Sequence, residues 1–144
     1  MDVELFENCT CFNLRKAARA VTQMYDEALK PLGLRATQVS ALAMISSEGP
    51  ITMTILAKQM VMDRTTLTRN LKPLIAENMV KVIAGEDRRQ REVQLTDFGQ
   101  LHLDTAIPVW AKVQKSIVTT MGDKNWNTLM LDLRSAVNAV RKQE

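Results

Sequence analysis

Between residues 52 and 96 the apolar repeat changes its period, and that change restricts the fold more than any other feature. Ile55, Leu56 and Met60, then Leu67, Leu71, Leu74 and Ile75, recur at the three- and four-residue steps of a helix face. Val80-Lys81-Val82-Ile83 is instead short and β-branched, and Glu92-Val93-Gln94-Leu95 alternates polar with apolar residues, which is the period of a strand. Between these runs lies AGEDRRQR, polar and charged with Gly85, so the pair reads as a hairpin with a loose, basic tip. Thr52 is expected to cap a short helix over about residues 53–60. Asp63 is expected to cap a second one running to about Glu77, where Asn78 breaks it. Two helices joined by a turn of about three residues, from Leu56 to Glu77, have helix-turn-helix proportions.

The flanking segments read as helical. Residues 12–30 place Leu14, Ala17, Ala18, Val21, Tyr25 and Leu29 on one face until Pro31 and Gly33 stop them. Residues 37–48 form a further helix, with Thr37 as its cap and Gly49-Pro50 as its terminator. A long helix is expected over 97–121 with a kink at Pro108. Gly122 interrupts it, Asp123 caps, and 124–142 form the last helix with Leu129, Leu133, Ala136, Val137 and Val140 apolar. The predicted order is α-α-α-α-β-β-α-α, a mainly α fold with a small β-hairpin. A chain of 144 residues, 46% hydrophobic, fits a single domain over 1–144 and can bury a core without staples.

What the second helix of the pair leaves outside its apolar face decides the function class. Those positions are Arg64, Thr65, Thr66, Thr68, Arg69, Asn70 and Lys72, rich in donors and free of acids after Asp63. A DNA major groove offers phosphates on its walls, and acceptors and thymine methyls on its floor, which such a face matches. A solvated polar face on a core helix is the competing reading. The hairpin shifts the balance, because Arg88, Arg89 and Arg91 cluster at its tip and a narrow minor groove attracts Arg. Asp87 is placed to brace Arg89 through a charge-assisted pair.

Taken together, LAKQMVMDRTTLTRNLKPLIAENMVKVIAGEDRRQREVQLTDFG resembles the winged helix-turn-helix of MarR-type transcriptional regulators. The most specific part is the run Asp87-Arg88-Arg89 followed by VQLT at 93–96 and Gly99. The resemblance covers essentially the whole chain. It implies that residues 37–96 form the DNA-binding part and that helices in 5–34 and 97–144 pair two copies. It implies a homodimer on a pseudo-palindromic operator, usually as a repressor that leaves DNA on meeting a ligand or oxidant, with the fourth helix in the major groove and Arg89 in the minor groove. Pro73 departs from the pattern; it removes a backbone bond near Arg69 and is expected to bend the helix there.

Cys11-Phe12-Asn13-Leu14, with Tyr25 fourteen residues after Cys11 and Leu32-Gly33-Leu34 beyond, resembles the organic-hydroperoxide-sensing branch of that family. The resemblance implies a redox-active thiol at Cys11 and a hydrogen-bonding phenol at Tyr25; Ala36 stands where that branch carries a second Tyr. Read from the residues alone, Cys11 is a small buried apolar residue near a helix start, which is what a free Cys usually is. The rival effector is a small aromatic or carboxylate ligand in a cavity where Arg15, Arg19, Tyr25, Met44 and Trp110 converge, since an Arg beside an aromatic suits such a group. Arg15 and Arg19 also read as a solvated helix face or as DNA-phosphate contacts.

The remaining features mostly exclude. No nucleophile with base spacing and no Gly-rich phosphate loop occurs, so no enzyme activity, catalytic residue or cofactor is expected. Cys9 with Cys11 makes a weak metal site, and His102, the one His, reads as surface or core, so no metal is expected. Net charge +3 suits a polyanionic partner, while 4% aromatics argues against stacking on single strands. With no run of about 18 apolar residues and no basic-then-apolar leader in MDVELFENCTC, a cytoplasmic location with reduced thiols and no membrane contact is expected. An architectural DNA-binding protein without an inducer is the alternative; the Thr- and Arg-bearing helix weighs against it.

Overall fold

The computed structural model describes residues 3–141. Its elements, in chain order, are α1 (Val3–Glu7), α2 (Thr10–Leu29), a 3-10 turn (Lys30–Leu32), α3 (Ala36–Glu48), β1 (Ile51–Thr52), α4 (Met53–Gln59), α5 (Arg64–Ala76), β2 (Val80–Ala84), β3 (Arg91–Leu95), α6 (Asp97–Met121) and α7 (Asp123–Arg141). The expected order is present with three additions, the single-turn α1, the 3-10 turn and the two-residue β1. The expected end of the last helix at 142 lies outside the described residues. None of the described helices is long and apolar enough to cross a membrane.

Contacts divide the chain into two compact units, one through Trp110 and one from Ala111. The first holds a core of Leu29, Leu42, Ile45, Leu56, Leu67, Leu71, Leu74, Val80 and Val93, each essentially without solvent access. The three α5 leucines sit at the helical spacing that puts them on one stripe, so the same periodicity that forms α5 turns its polar residues outward. The sheet has the order β1-β3-β2, all antiparallel, with Val82 opposite Val93 and Ile51 opposite Val93 on the other edge. In the second unit α7 buries no residue; Leu129, Leu131, Val137 and Val140 are exposed.

Caps account for most of the helix boundaries. Thr52 accepts the Ile55 N–H at 3.2 Å, as expected of it. Asp63 accepts the Thr66 N–H on Oδ1 at 2.8 Å, and its Oδ2 accepts the Thr66 hydroxyl at 2.8 Å. Thr37 is not a cap. It lies inside α3, and the Ala36 N–H donates instead to Asp26 Oδ1 of α2 at 2.7 Å. A carboxylate ten residues away satisfies that helix end better than a neighbouring hydroxyl. Asp123 is likewise the first residue of α7, not its cap. α5 runs on through Pro73, and α6 through Pro108.

Helices α4 and α5 end in the same way. Val61 N donates to Lys58 O at 3.2 Å and Met62 N to Ala57 O at 2.8 Å; Asn78 N donates to Ile75 O at 3.0 Å and Met79 N to Leu74 O at 2.9 Å. Both are Schellman closures, which need a left-handed residue, and the φ values are +54° at Val61 and +59° at Asn78. Asn tolerates that conformation, whereas a β-branched side chain there costs roughly 1–2 kcal/mol.

The start of α6 is locked onto the end of α5. Met79 O accepts the Thr96 N–H at 3.0 Å, and Thr96 Oγ1 donates to Asn78 O at 2.6 Å while accepting the Gly99 N–H at 2.9 Å. Gly99 packs directly on the Met79 carbonyl, leaving no room for a Cβ; one would also fall 2.7 Å from Leu95 Cδ2. This is the physical content of the Leu95-Thr96…Gly99 pattern. Gly99→Ala is therefore expected to destabilise the protein by about 1–3 kcal/mol through overpacking against backbone that cannot move aside. Thermal or urea unfolding checks this, and a Tm equal to wild type would contradict the close approach.

The Asp63 cap should titrate. Its two bonds from Thr66, backbone first and hydroxyl second, hold the carboxyl below its ordinary pKa of 3.8. A folded pKa below the unfolded one makes the contribution complete above the unfolded value, and it fades as pH falls through the folded value. Asp63→Asn keeps a capping oxygen that does not titrate. The Tm difference between wild type and D63N is expected to be constant above about pH 5 and to shift against wild type below about pH 4. A difference that stays flat down to about pH 2.5 would show that the carboxylate form is not what the cap uses.

Candidate nucleic-acid interface

The exposed side of α5 is built by its own cap. Once Asp63 fixes the first turn, Arg64, Thr65, Thr68, Arg69 and Lys72 line one shallow groove of about 500 Å³. Thr66 does not share in it as a free donor, because its hydroxyl is committed to Asp63. Thr68 Oγ1 donates inward to Arg64 O at 2.8 Å, which turns its remaining atoms to the groove. Asn70 is drawn aside, its Nδ2 lying 3.5 Å from Met62 Sδ.

A second, smaller cavity of about 210 Å³ lies where the hairpin meets the helix pair, lined by Thr52, Thr54, Arg64, Arg89, Gln90 and Arg91. Arg64 Nη1 donates to Thr54 Oγ1 at 3.1 Å, so Arg64 belongs to both surfaces and joins them. No acidic residue lines either one. Thr54 and Gln90 were not among the residues singled out by sequence. The available signal was the Thr52 cap, which places Thr54 in the exposed first turn of α4. Arg88 is exposed at the hairpin tip.

Asp87 braces the tip, but through backbone. Its Oδ1 accepts the Arg89 N–H at 3.0 Å, its carbonyl accepts the Gln90 N–H at 2.8 Å, and Gln90 O accepts from Gly85 N at 3.0 Å. The expected pairing of Asp87 with the Arg89 side chain is thus replaced by an Asx-type turn. A short carboxylate reaches an amide two residues on more readily than a guanidinium at the end of a long chain.

The sensor candidates are spread along α2 and beyond it. Cys11 is exposed in the first turn of α2 and Cys9, just before it, is half-buried. Tyr25 is buried with its ring 4.1 Å from that of Trp110, and burial raises its phenol pKa, keeping it a neutral donor. Cys11 and Tyr25 share one unbroken helix fourteen residues apart, about 21 Å along its axis, so they do not meet within a chain. Arg15 and Arg19 are exposed on the same helix, Arg15 about 15 Å along the axis from Tyr25; Met44 is half-buried. Of this set, Tyr25 and Trp110 are brought together, ring against ring. Among the described residues, no group of three or more His, Cys, Asp or Glu converges on a metal-sized site.

Known proteins share this architecture. A family profile described as MarR family matches residues 34–90. An HTH-type transcriptional regulator of Bacillus subtilis strain 168, YwoH, is 31% identical over 112 residues, covering 78% of this chain and 82% of its own. The organic hydroperoxide resistance transcriptional regulator of the same organism is 28% identical over 104 residues, covering 72% of this chain and 71% of its own. The DNA complex of the M. tuberculosis transcriptional regulator MosR superposes with a TM-score of 0.86 at 38% identity, covering 94% of this chain and 98% of that one. With a winged helix-turn-helix whose wing is the β2–β3 hairpin, and with relatives of this identity and coverage, the chain belongs to the MarR family.

Proposed function

We propose that the protein is a sequence-specific double-stranded DNA-binding transcriptional regulator, acting as a repressor. The observation that carries this reading is the junction at Arg64. One residue joins a donor-rich helix face to an arginine-lined wing cavity, and no acid interrupts the surface. A groove reader needs such a surface: phosphate contacts that position the protein and side chains that reach base edges. Arg64, Thr65, Thr68, Arg69 and Lys72 face the major groove, with Thr66 supporting the turn; Arg88, Arg89 and Arg91 reach the minor groove and its phosphates. The related regulator MosR is known in a complex with DNA.

In this reading residues 37–96 are the DNA-binding part, and the helices of 5–34 and 97–144 pair two copies about a two-fold axis. Apolar residues left exposed support the pairing: Leu5, Phe6, Phe12 and Leu14 near the start, and Leu129, Leu131, Val137 and Val140 on α7. Two-fold symmetry then matches a pseudo-palindromic operator with half-sites about one helical turn apart.

Release by oxidation of Cys11 is favoured over a small aromatic acid by its exposure and by the hydroperoxide-resistance relative. A hydroperoxide would oxidise the thiolate to a sulfenic acid and leave as the alcohol. Because Tyr25 is about 21 Å from Cys11 along α2, its phenol can meet a Cys11 only on a second copy.

Two arginines separate positioning from reading. Arg89→Ala is expected to weaken operator binding and to flatten its salt dependence by about one phosphate equivalent or less. Arg69→Ala is expected to relax preference at one base position by about 1–3 kcal/mol. Duplex selection followed by salt titration measures both, and unchanged binding in both variants would remove the surface from the function. For the sensor, Cys11→Ser is expected to keep operator binding and to lose release by an organic hydroperoxide. Release that persists in the serine variant would assign sensing elsewhere.

A further inference from the structure

Val61 is the residue of the reading head that is least explained by folding. It takes the left-handed position of the Schellman closure at φ +54°, where Gly is the least strained choice and Asn the next. The chain uses Asn78 for the identical geometry at the end of α5. Nor does the fold recover the strain by packing, because Val61 is 57% exposed. The next residue, Met62, completes the closure through its backbone, and its side chain turns to Asn70 of α5. Strain held by an exposed apolar side chain in a binding element points to a role in the bound state.

Its location says which role. Val61 lies three residues before Arg64, the residue shared by both basic surfaces, so the chain between them spans at most about 11 Å. That is within the roughly 12 Å width of a major groove entered by the first turn of α5. Among the groups on a groove floor, only the thymine 5-methyl is apolar. We propose that the Val61 isopropyl reads a thymine methyl at the edge of the half-site, which makes it a specificity-determining residue. The proposal rests on the DNA-binding reading and adds a base-specific apolar contact that the donors of α5 do not supply.

The test begins with duplexes selected by the full-length protein from a randomised double-stranded library. Each thymine of the selected half-site is then replaced singly by deoxyuridine, which removes only the methyl. Wild type is expected to lose about fourfold in affinity at one position, as befits one methyl's apolar contact. Val61→Gly is expected to bind the unsubstituted duplex about fourfold more weakly and to ignore deoxyuridine at that position. It should also melt higher by roughly 2–8 °C in the absence of DNA, because the backbone relaxes. Val61→Ala keeps a Cβ in the left-handed position; it should lose the same discrimination with a smaller gain in Tm. Wild-type affinity in both variants, or a deoxyuridine penalty that survives in them, would overturn the proposal while leaving DNA binding intact. Failure of wild type to enrich any duplex would overturn the DNA-binding reading and this proposal with it.

Discussion

The backbone around Met79 is where the reading head is held together. Its N–H closes the end of α5 on Leu74 O, its carbonyl accepts the Thr96 N–H, and Gly99 of α6 packs on that same carbonyl. Three elements therefore meet at one residue: the helix that faces outward, the strand that starts the wing, and the helix that leaves it. A buried carbonyl has two acceptor sites, and an approach this close needs a residue without a Cβ. With Leu74, Val80 and Val93 fully buried around it, the angle between helix and wing is set by backbone rather than by adjustable side chains. A surface meant to match a rigid duplex needs that kind of support, since small errors in orientation at the hinge grow along the wing.

Charge placement follows from the same economy. Two of the acids flanking the basic surface are each turned onto a backbone N–H, Asp63 onto Thr66 and Asp87 onto Arg89. Both shape the element that presents the cations, one by starting α5 and the other by bending the wing tip. Neither offers its carboxylate to the cavities that Arg64 joins. These two acids thus contribute structure, and the two cavities are lined by cations without an acid, which suits a phosphate backbone.

The parts that were legible in sequence are those fixed by neighbours a few residues apart. Thr52, Asp63 and Asn78 act at spacings of three or fewer, and their caps and closures follow from residue type. The leucine stripe of α5 and the alternation in β3 are equally local. What escaped depends on distant partners. The α3 cap comes from Asp26, ten residues back, so the nearby Thr37 was the wrong inference. β1 is two residues that become a strand only by pairing with Glu92 and Val93. Asp87 was assigned the right duty with the wrong partner, since sequence does not distinguish an amide from a guanidinium as its donor. The resemblance implied a partnership of Cys11 with Tyr25, and only the structure shows that one continuous α2 holds the two apart within a chain.

That continuity also says how chemistry at one end of α2 can be felt at the reading head. α2 carries Cys11 in its first turn and, near its last, Tyr25 against Trp110 and Asp26 against the α3 N-terminus. α3 in turn carries Ser46, whose hydroxyl donates to Gln100 Oε1 of α6 at 2.8 Å, one residue beyond Gly99. A helix this long and unbroken moves largely as a unit, so displacing its start must carry α3 along or break the 2.7 Å bond from Ala36 to Asp26. Carried along, α3 reaches the Met79 junction through Ser46, Gln100 and Gly99; a broken bond instead uncouples α3 from α2. On the proposed sensor reading, oxidation at Cys11 would not need to act near the DNA-facing surface. It would need only to favour a second position of α2, because the two ends of that helix are mechanically one element.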